Sequence, residues 1–174
     1  MITFGQANDS DIPSIAALLS HGVSRKKLYN DNSWGDDPFS EAEVRDILEN
    51  SKLYLAHVDD EVAGVLAVTQ ADPLWEDQPG ANAYYIHRMT TDKRFRGQNI
   101  GGQLLDWLVS TANNMSVNVL RLDCDCNNRQ LCDYYKAQGF SEVARKDLHN
   151  RVTGQIDTKA LFEKKISEPL VQSW

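Results

Sequence analysis

A glycine-containing junction between a strand-like run and a helical pattern constrains this chain more than any other feature. Residues 83–90 are rich in aromatic and β-branched side chains, which is typical of a strand. From Ile100 to Ala112 the apolar residues recur at helical spacing. The junction at 96–102 therefore places small residues at the start of a helix, where free backbone N–H groups and the helix dipole attract phosphate. By itself such a loop is equally consistent with a flexible turn.

Length and charge narrow the class of protein. The chain has 174 residues, 41% hydrophobic and 25% charged, which fits one globular domain. The net charge of -7 and the pI near 5.0 argue against a nucleic-acid partner and suit a cationic one better. No apolar run approaches the roughly 20 residues that cross a bilayer, and no leader pattern opens the sequence. We therefore expect a cytoplasmic protein with no membrane partner.

The three cysteines, Cys124, Cys126 and Cys132, lie close together in the sequence. An odd number in a short chain does not make a disulfide framework, which favours a reducing compartment. A structural zinc site needs four ligands and a wider spacing than Cys-x-Cys. We interpret the cysteines as small buried hydrophobes and expect no metal.

The periodicity along the chain predicts an α/β fold with a mixed, mostly antiparallel sheet flanked by helices. Hairpins bracket the sheet at both ends, whereas 83–90 and 117–125 flank a helix and should run parallel as a central strand-helix-strand crossover. Ligands gather at the carboxyl ends of strands where the pairing switches, so the loop after Thr90 is the expected site. Strands are predicted at 2–7, 52–58, 62–69, 83–90, 117–125, 140–146 and 155–166, and helices begin near residues 12, 40, 100 and 128.

The loop matches a family pattern. Arg96, Asn99 and Gly101 occupy the defined positions of Arg/Gln-x-x-Gly-x-Gly/Ala, with Asn99 in place of the central glycine. Asparagine is one of the few other residues that tolerate a left-handed backbone, so the loop shape can survive. In this motif the chain resembles the GNAT (Gcn5-related N-acetyltransferase) superfamily.

A second motif supports the resemblance. After the strand 117–125, which contains Leu120-Arg121-Leu122-Asp123, come Asn128, an apolar residue, Tyr135, and then Gly139 with Phe140, in the order and spacing of the family. The likeness extends at lower specificity over residues 1–166, which we take as one acetyltransferase domain, and leaves 167–174 as a C-terminal tail. It implies a GNAT-like fold and an N-acetyltransferase that moves an acetyl group from acetyl-CoA to a primary amine by direct attack.

The resemblance also implies a cofactor-binding set. The backbone at the end of strand 83–90 would pair with the pantetheine arm, and the loop would hold the diphosphate. The set is Met89, Thr90, Thr91, Arg96, Gly97, Gln98, Asn99, Ile100, Gly101, Gly102, Asn128 and Tyr135.

Two side chains are candidates for proton transfer. By resemblance, Tyr135 is the acid that protonates the departing thiolate, although an aromatic before Gly-Phe could simply pack against the sheet. His87 lies on the strand that leads to Met89, and imidazole titrates near neutrality, so it is the candidate base. A strand histidine is as often a packing residue.

Aromatic and acidic residues in two loops suggest where the acceptor binds. Trp34, Asp36, Trp75 and Glu76 could form a mouth for a cationic amine, although acidic loops are usually only solvated. They favour a small-molecule amine. A protein or peptide acceptor and a non-catalytic acyl-CoA-binding module stay open as alternatives, and so does a homodimer.

Overall fold

The computed structural model describes residues 1–78, 82–149 and 154–166, and the tail 167–174 lies outside them. A seven-stranded sheet has the order β1-β2-β3-β4-β5-β7-β6. Its strands are β1 (Ile2–Gln6), β2 (Lys52–Val58), β3 (Glu61–Thr69), β4 (Ala83–Thr91), β5 (Val119–Asp125), β6 (Ser141–His149) and β7 (Ile156–Lys165). The helices are α1 (Ile12–Lys27), α2 (Glu41–Asn50), α3 (Ile100–Asn114) and α4 (Arg129–Ala137).

The predicted fold class is confirmed. Among the described strands, β4 and β5 are the one parallel pair, and α3 connects them as the expected crossover. Their pairing runs from Ala83 opposite Val119 to Ile86 opposite Leu122 and stops there. The carboxyl ends of both strands therefore face a gap in the sheet.

Local sequence explains several of the boundaries. The predicted capping box starts α2: Ser40 Oγ accepts from the Glu43 amide at 3.2 Å, and Glu43 Oε2 accepts from the Ser40 amide at 2.8 Å. The β2–β3 turn is tighter than the predicted three-residue connection. Asp59 and Asp60 both have positive φ, 48° and 69°, as a two-residue hairpin turn requires, so β3 already begins at Glu61.

The core lies on both faces of the sheet because successive strand residues point to opposite sides. On β2, Tyr54 and Ala56 join the buried cluster under α3 and α4, whereas Leu53 and Leu55 join the cluster under α1 and α2. Most of the apolar stripe of α3, including Leu104, is buried, as its spacing predicted, whereas Val109 is half-buried. The protein is a three-layer helix-sheet-helix structure.

One helix is longer than its sequence pattern indicated. The apolar residues whose helical spacing predicts α1 begin at Ile12 and end at Leu19. The helix nevertheless continues to Lys27 and carries Arg25 and Lys26 to the edge of the gap. No helix in the described ranges has both the length and the apolar character to cross a membrane.

Candidate active site

A cavity of about 1010 Å³ opens where β4 and β5 separate. The end of α1, the carboxyl ends of both strands, the loop before α3 and the first turns of α4 contribute to its wall. This is the position that the strand order predicts for a ligand site.

The loop before α3 has the shape of an anion cradle. Gly97 and Asn99 both adopt left-handed conformations, with φ of 88° and 51°, so the prediction for Asn99 is confirmed. No side chain caps α3, and within the described residues the amides of Ile100, Gly101 and Gly102 have no acceptor. Three backbone donors and the positive end of the helix dipole thus remain available for an anion.

At two positions in this loop a Cβ would displace neighbouring side chains, so glycine fits best there. A Cβ on Gly101 would lie 2.4 Å from Tyr134 Oη and 3.2 Å from Met89 Cε. A Cβ on Gly102 would lie 2.5 Å from the Asn99 side chain. A ligand can therefore approach the main chain closely.

The cavity is basic although the whole chain is acidic. In the described part of the chain, two carboxylates, Asp92 and Asp123, line it, against six lysine and arginine side chains. Arg25 donates to Thr90 Oγ1 and to the Thr91 carbonyl oxygen, the latter at 3.3 Å, which holds α1 against the end of β4. The six basic residues are Arg25, Lys26, Arg88, Lys93, Arg96 and Lys159.

Tyr135 lies on the inner face of α4 and lines the cavity. It is 7% exposed, and its ring packs against Phe140 and Phe162. Its hydroxyl is 4.0 Å from Met89 Sδ, a weak acceptor, so its donor capacity is nearly unused. Burial strongly raises the pKa of Tyr135 and keeps the phenol protonated. Tyr134 also lines the cavity, and its ring packs edge to face against the Tyr135 ring.

His87 belongs to a cluster with two carboxylates that lie apart in the sequence. Its Nε2 is 3.0 Å from Thr69 Oγ1 and 3.8 Å from Asp72 Oδ2, and the ligand atoms of His87, Asp72 and Asp123 all lie within 4.8 Å of one another. This set could hold a metal ion, and it could equally hold an ammonium group.

Asp123 is the member of that cluster that sequence reasoning did not select. Burial raises the pKa of Asp123. Electrostatic interactions with Lys159 and His87 lower this pKa, and the interaction with Asp72 raises it. Among the described residues its carboxylate has neither a hydrogen bond nor an ion pair within 4.0 Å, and it lines the cavity together with His87. The signal in the sequence was a carboxylate at the end of a buried strand.

Asn128 caps α4 and links it to the segment between α1 and α2. Its Oδ1 accepts from the Leu131 amide at 3.2 Å, and its Nδ2 donates to Asp31 Oδ2 at 3.0 Å. Asp31 is buried and also pairs with Lys26 at 2.5 Å. Part of the hydrogen-bonding capacity that the resemblance reserves for a cofactor is thus used within the protein.

Trp34 is the one predicted acceptor residue that reaches the cavity wall. It packs over α1 at Gly22, where a Cβ would lie 2.7 Å from the indole ring. The Lys26 ammonium is 5.2 Å and the Arg88 guanidinium 5.6 Å from its ring centroid. The protein's own cations thus already occupy the aromatic ring that was expected to bind a cationic substrate.

The other three acceptor candidates, Trp75, Asp36 and Glu76, are not among the residues that line the cavity. Trp75 is 2% exposed and packs under Arg121, whose guanidinium lies 4.7 Å from the ring centroid. Asp36 is on the surface, 3.3 Å from the Lys27 ammonium.

The cavity brings together most of the predicted cofactor set. Gln98 and Gly102 are in the loop but not among the lining residues. Besides Trp34, the predicted residues that line the cavity are His87, Met89, Thr90, Thr91, Arg96, Gly97, Asn99, Ile100, Gly101, Asn128 and Tyr135.

The interpretation of the cysteines is confirmed for two of the three. Cys124 and Cys132 are buried in the core with their sulfur atoms 3.4 Å apart, and Cys126 is half-buried. Burial raises the thiol pKa of both buried residues, so they are protonated and unreactive.

An uncapped helix start, a splayed parallel strand pair and a buried tyrosine meet at one cavity. The sequence matches the Acetyltransferase (GNAT) family over residues 23–140, and the chain belongs to that family, whose members are N-acetyltransferases and generally use acetyl-CoA.

One curated relative and two solved structures are similar to this chain. The chain is 25% identical over 138 residues to the uncharacterized N-acetyltransferase YesJ of Bacillus subtilis (strain 168), covering 75% of this chain and 76% of the relative. A GNAT acetyltransferase of Listeria monocytogenes 4b F2365 has a TM-score of 0.73 at 23% identity over 94% of both chains. The ribosomal-protein-S18-alanine N-acetyltransferase of Escherichia coli has a TM-score of 0.69 at 15% identity, covering 100% of this chain and 99% of that one. These structural likenesses concern the fold alone.

Proposed function

We propose that the protein transfers an acetyl group from acetyl-CoA to the primary amine of a small molecule, by direct attack of the amine. The observation that carries this proposal is the uncapped start of α3, which opens onto the same cavity as the Tyr135 hydroxyl and the end of β4. The proposed diphosphate anchor, the proposed proton donor and the end of β4 are therefore in the same cavity.

The residues present fit the co-substrate. The free amides of Ile100, Gly101 and Gly102 would hold the diphosphate, and Arg96 and Lys93 would add positive charge beside it. Among the described strands, none pairs with the β4 edge at Met89–Thr91 on the β5 side, which leaves this edge available for the pantetheine arm. Acetyl-CoA supplies an acetyl group activated as a thioester.

Met89 and Tyr135 would stabilise the charges that develop. The backbone N–H of Met89 would donate to the carbonyl oxygen, since a fixed donor in a dry site stabilises developing negative charge strongly. Tyr135 would donate its proton to the departing sulfur. Its buried, protonated hydroxyl, whose neighbour is a weak sulfur acceptor, supports that role.

The cluster of His87 and Asp123 would receive the amine. An ammonium ion must lose a proton before it can attack, and both residues line the cavity at the end of the paired region of β4 and β5. Asp123 would attract the ammonium, and His87 would accept its proton directly or through water. Thr69 Oγ1 and Asp72 Oδ2 both lie near Nε2 of the ring and would orient the imidazole.

A small-molecule acceptor is favoured over a peptide by the Asp31–Asn128 hydrogen bond. This bond links the α1–α2 segment to the start of α4, so the segment walls the acceptor side of the cavity. A cytoplasmic location and a homodimer stay predictions.

A thiol-release assay with acetyl-CoA tests the proposal. The panel contains amino acids, polyamines, aminoglycosides and short peptides, with wild-type protein and the Tyr135→Phe variant. Turnover with one class of small amine, reduced in the variant, is the expected result. Turnover confined to peptides would replace the small-molecule assignment, and acetyl-CoA binding without turnover on any amine would favour the non-catalytic module.

A further inference from the structure

Arg88 occupies an unusual backbone position at the acceptor end of the cavity. It has a φ of 54°, left-handed for a residue without the freedom of glycine, where the β3–β4 register shifts between Val65 and Ala67. Such a bulge redirects one side chain of a strand. Arg88 accordingly lines the cavity between His87 and Met89.

Two aromatic rings hold the Arg88 side chain in place. Its guanidinium carbon lies 5.6 Å from the Trp34 ring centroid and 5.2 Å from that of Phe39, and the two rings pack edge to face. Cation–π contacts of this kind fix the orientation of a guanidinium and leave its N–H donors free. The side chain is therefore pre-organised.

The guanidinium has no polar partner in the described part of the chain. No hydrogen bond from its donors is found there, and no carboxylate lies within 4.0 Å of them. Burial lowers the pKa of Arg88, whereas the more distant Glu43 and Asp123 raise it. A partly desolvated guanidinium with unused donors at a cavity wall is suited to bind an anion.

Lys159 adds a second unpaired cation to the same cavity. It is 7% exposed, and no hydrogen bond or ion pair of its ammonium is found among the described residues. Its charge helps to lower the pKa of Asp123. Lys26, by contrast, is neutralised by Asp31. Among the described residues, neither Arg88 nor Lys159 has a carboxylate within 4.0 Å, and Asp123 acts on both from farther away.

We propose that the acceptor is an amino carboxylate, whose carboxylate is bound by Arg88 and whose amino group lies at Asp123. This inference rests on the proposed acetyl transfer and names its substrate class. The planar fork of arginine matches a carboxylate with two parallel hydrogen bonds, and Lys159 adds attraction to the same group. A simple polyamine would meet the same two cations and would offer them no anionic group.

Three matched acceptors test the charge requirement: an α-amino acid, its carboxamide and the decarboxylated amine. Each is titrated calorimetrically into wild-type protein saturated with CoA, and each is assayed for thiol release with acetyl-CoA. Binding and kcat/KM at least about tenfold better for the amino acid are expected, since loss of a charge-assisted pair costs about 1.4 kcal/mol or more. Equal or better binding of the decarboxylated amine would overturn the inference. A series over several side chains guards against a poor choice of amino acid.

Substitutions assign the carboxylate contact to Arg88. Arg88→Gln should abolish the preference for the amino acid over its carboxamide, whereas Arg88→Lys should retain part of it because the charge remains. Arg45→Gln, the same change at an exposed arginine of α2, is the control and should keep the full preference. A full preference in both Arg88 variants would contradict the assignment.

Failure of this inference is distinguishable from failure of the proposed function. CoA binding is measured first and separately. If the protein binds CoA but prefers amines without a carboxylate, only the proposed substrate class is refuted, and the proposed acetyl transfer is not. Thermal unfolding of each variant shows whether removal of the cation from between Trp34 and Phe39 has disturbed the fold. The wild-type acceptor series decides the question even where a variant does not fold.

Discussion

Asn128 Nδ2 donates a hydrogen bond of 3.0 Å to Asp31 Oδ2, and this bond joins two residues 97 positions apart. Asp31 is 1% exposed, and it also accepts hydrogen bonds from Lys26 and from the Ser33 amide and hydroxyl. One buried carboxylate thereby fastens the segment between α1 and α2 to the first turn of α4, over the cavity. The position of this segment, which forms the wall of the cavity on the proposed acceptor side, therefore depends on the negative charge of Asp31.

Asp31→Asn should therefore destabilise the protein by about 2 to 3 kcal/mol, because it removes charge-assisted hydrogen bonds and leaves the buried Lys26 without its counterion. Asp36→Asn is the matched control, since the nearby pair of Asp36 with Lys27 is exposed and should contribute less than about 1 kcal/mol. Urea unfolding monitored by circular dichroism measures both. Equal losses in the two variants would show that the bridge does not stabilise the fold.

The same carboxylate should contribute to acid sensitivity. Burial alone would raise its pKa, but hydrogen bonds from Lys26, Ser33 and Asn128 outweigh burial and lower the pKa from 3.8 to about 2. Because the folded value is the lower one, the stability it contributes is present above about pH 4 and is lost as the pH falls towards 2. The difference in unfolding free energy between wild type and Asp31→Asn should shrink over that window. A difference independent of pH would contradict this account.

Tyr135→Phe should lower kcat by about a hundredfold, the usual scale for a proton-transfer residue, and should leave the Kd for acetyl-CoA within about twofold. Tyr84→Phe provides the control, because its hydroxyl also donates to a methionine sulfur, Met115 Sδ at 3.0 Å, but does not line the cavity. Stopped-flow thiol release and calorimetry separate the two quantities. Unchanged kcat in Tyr135→Phe would assign the tyrosine to packing alone.

Asp123→Asn should stabilise the protein at neutral pH while lowering kcat/KM by about a hundredfold. The folded-state pKa of Asp123 is raised, so its effect on stability is most favourable at low pH and is lost as the pH rises through the folded value. Asparagine cannot ionise, so the Asp123→Asn variant does not lose stability as the pH rises through that value. Melting temperatures and kinetics at pH 7 test both directions, with the exposed Asp46→Asn as control. A less stable or fully active variant would contradict the acceptor role.

Much of the fold and the shape of the loop before α3 were predictable because their determinants are local. The Ser40 capping box, the stripe of α3 and the left-handed Asn99 each depend on a few neighbouring residues. The tyrosine motif on α4 is equally short.

The acceptor half was not predictable, because tertiary contacts determine it. Trp75 looked exposed in an acidic loop, yet the Arg121 guanidinium and Tyr85 bury it. Arg88, Asp123 and Lys159 belong to three different strands, and their proximity follows from the order β4-β5-β7 rather than from any spacing in the chain.

Calorimetric titration of acetyl-CoA into wild-type protein and Gly101→Val tests the central claim most directly. Wild type should bind one equivalent, and Gly101→Val should bind at least about tenfold more weakly, because its side chain would meet Tyr134 Oη and Met89 in the anion cradle. Gly5→Ala, where a Cβ meets nothing within 4 Å, should bind as wild type does. Folded wild-type protein that gives no heat with acetyl-CoA or CoA would contradict the account.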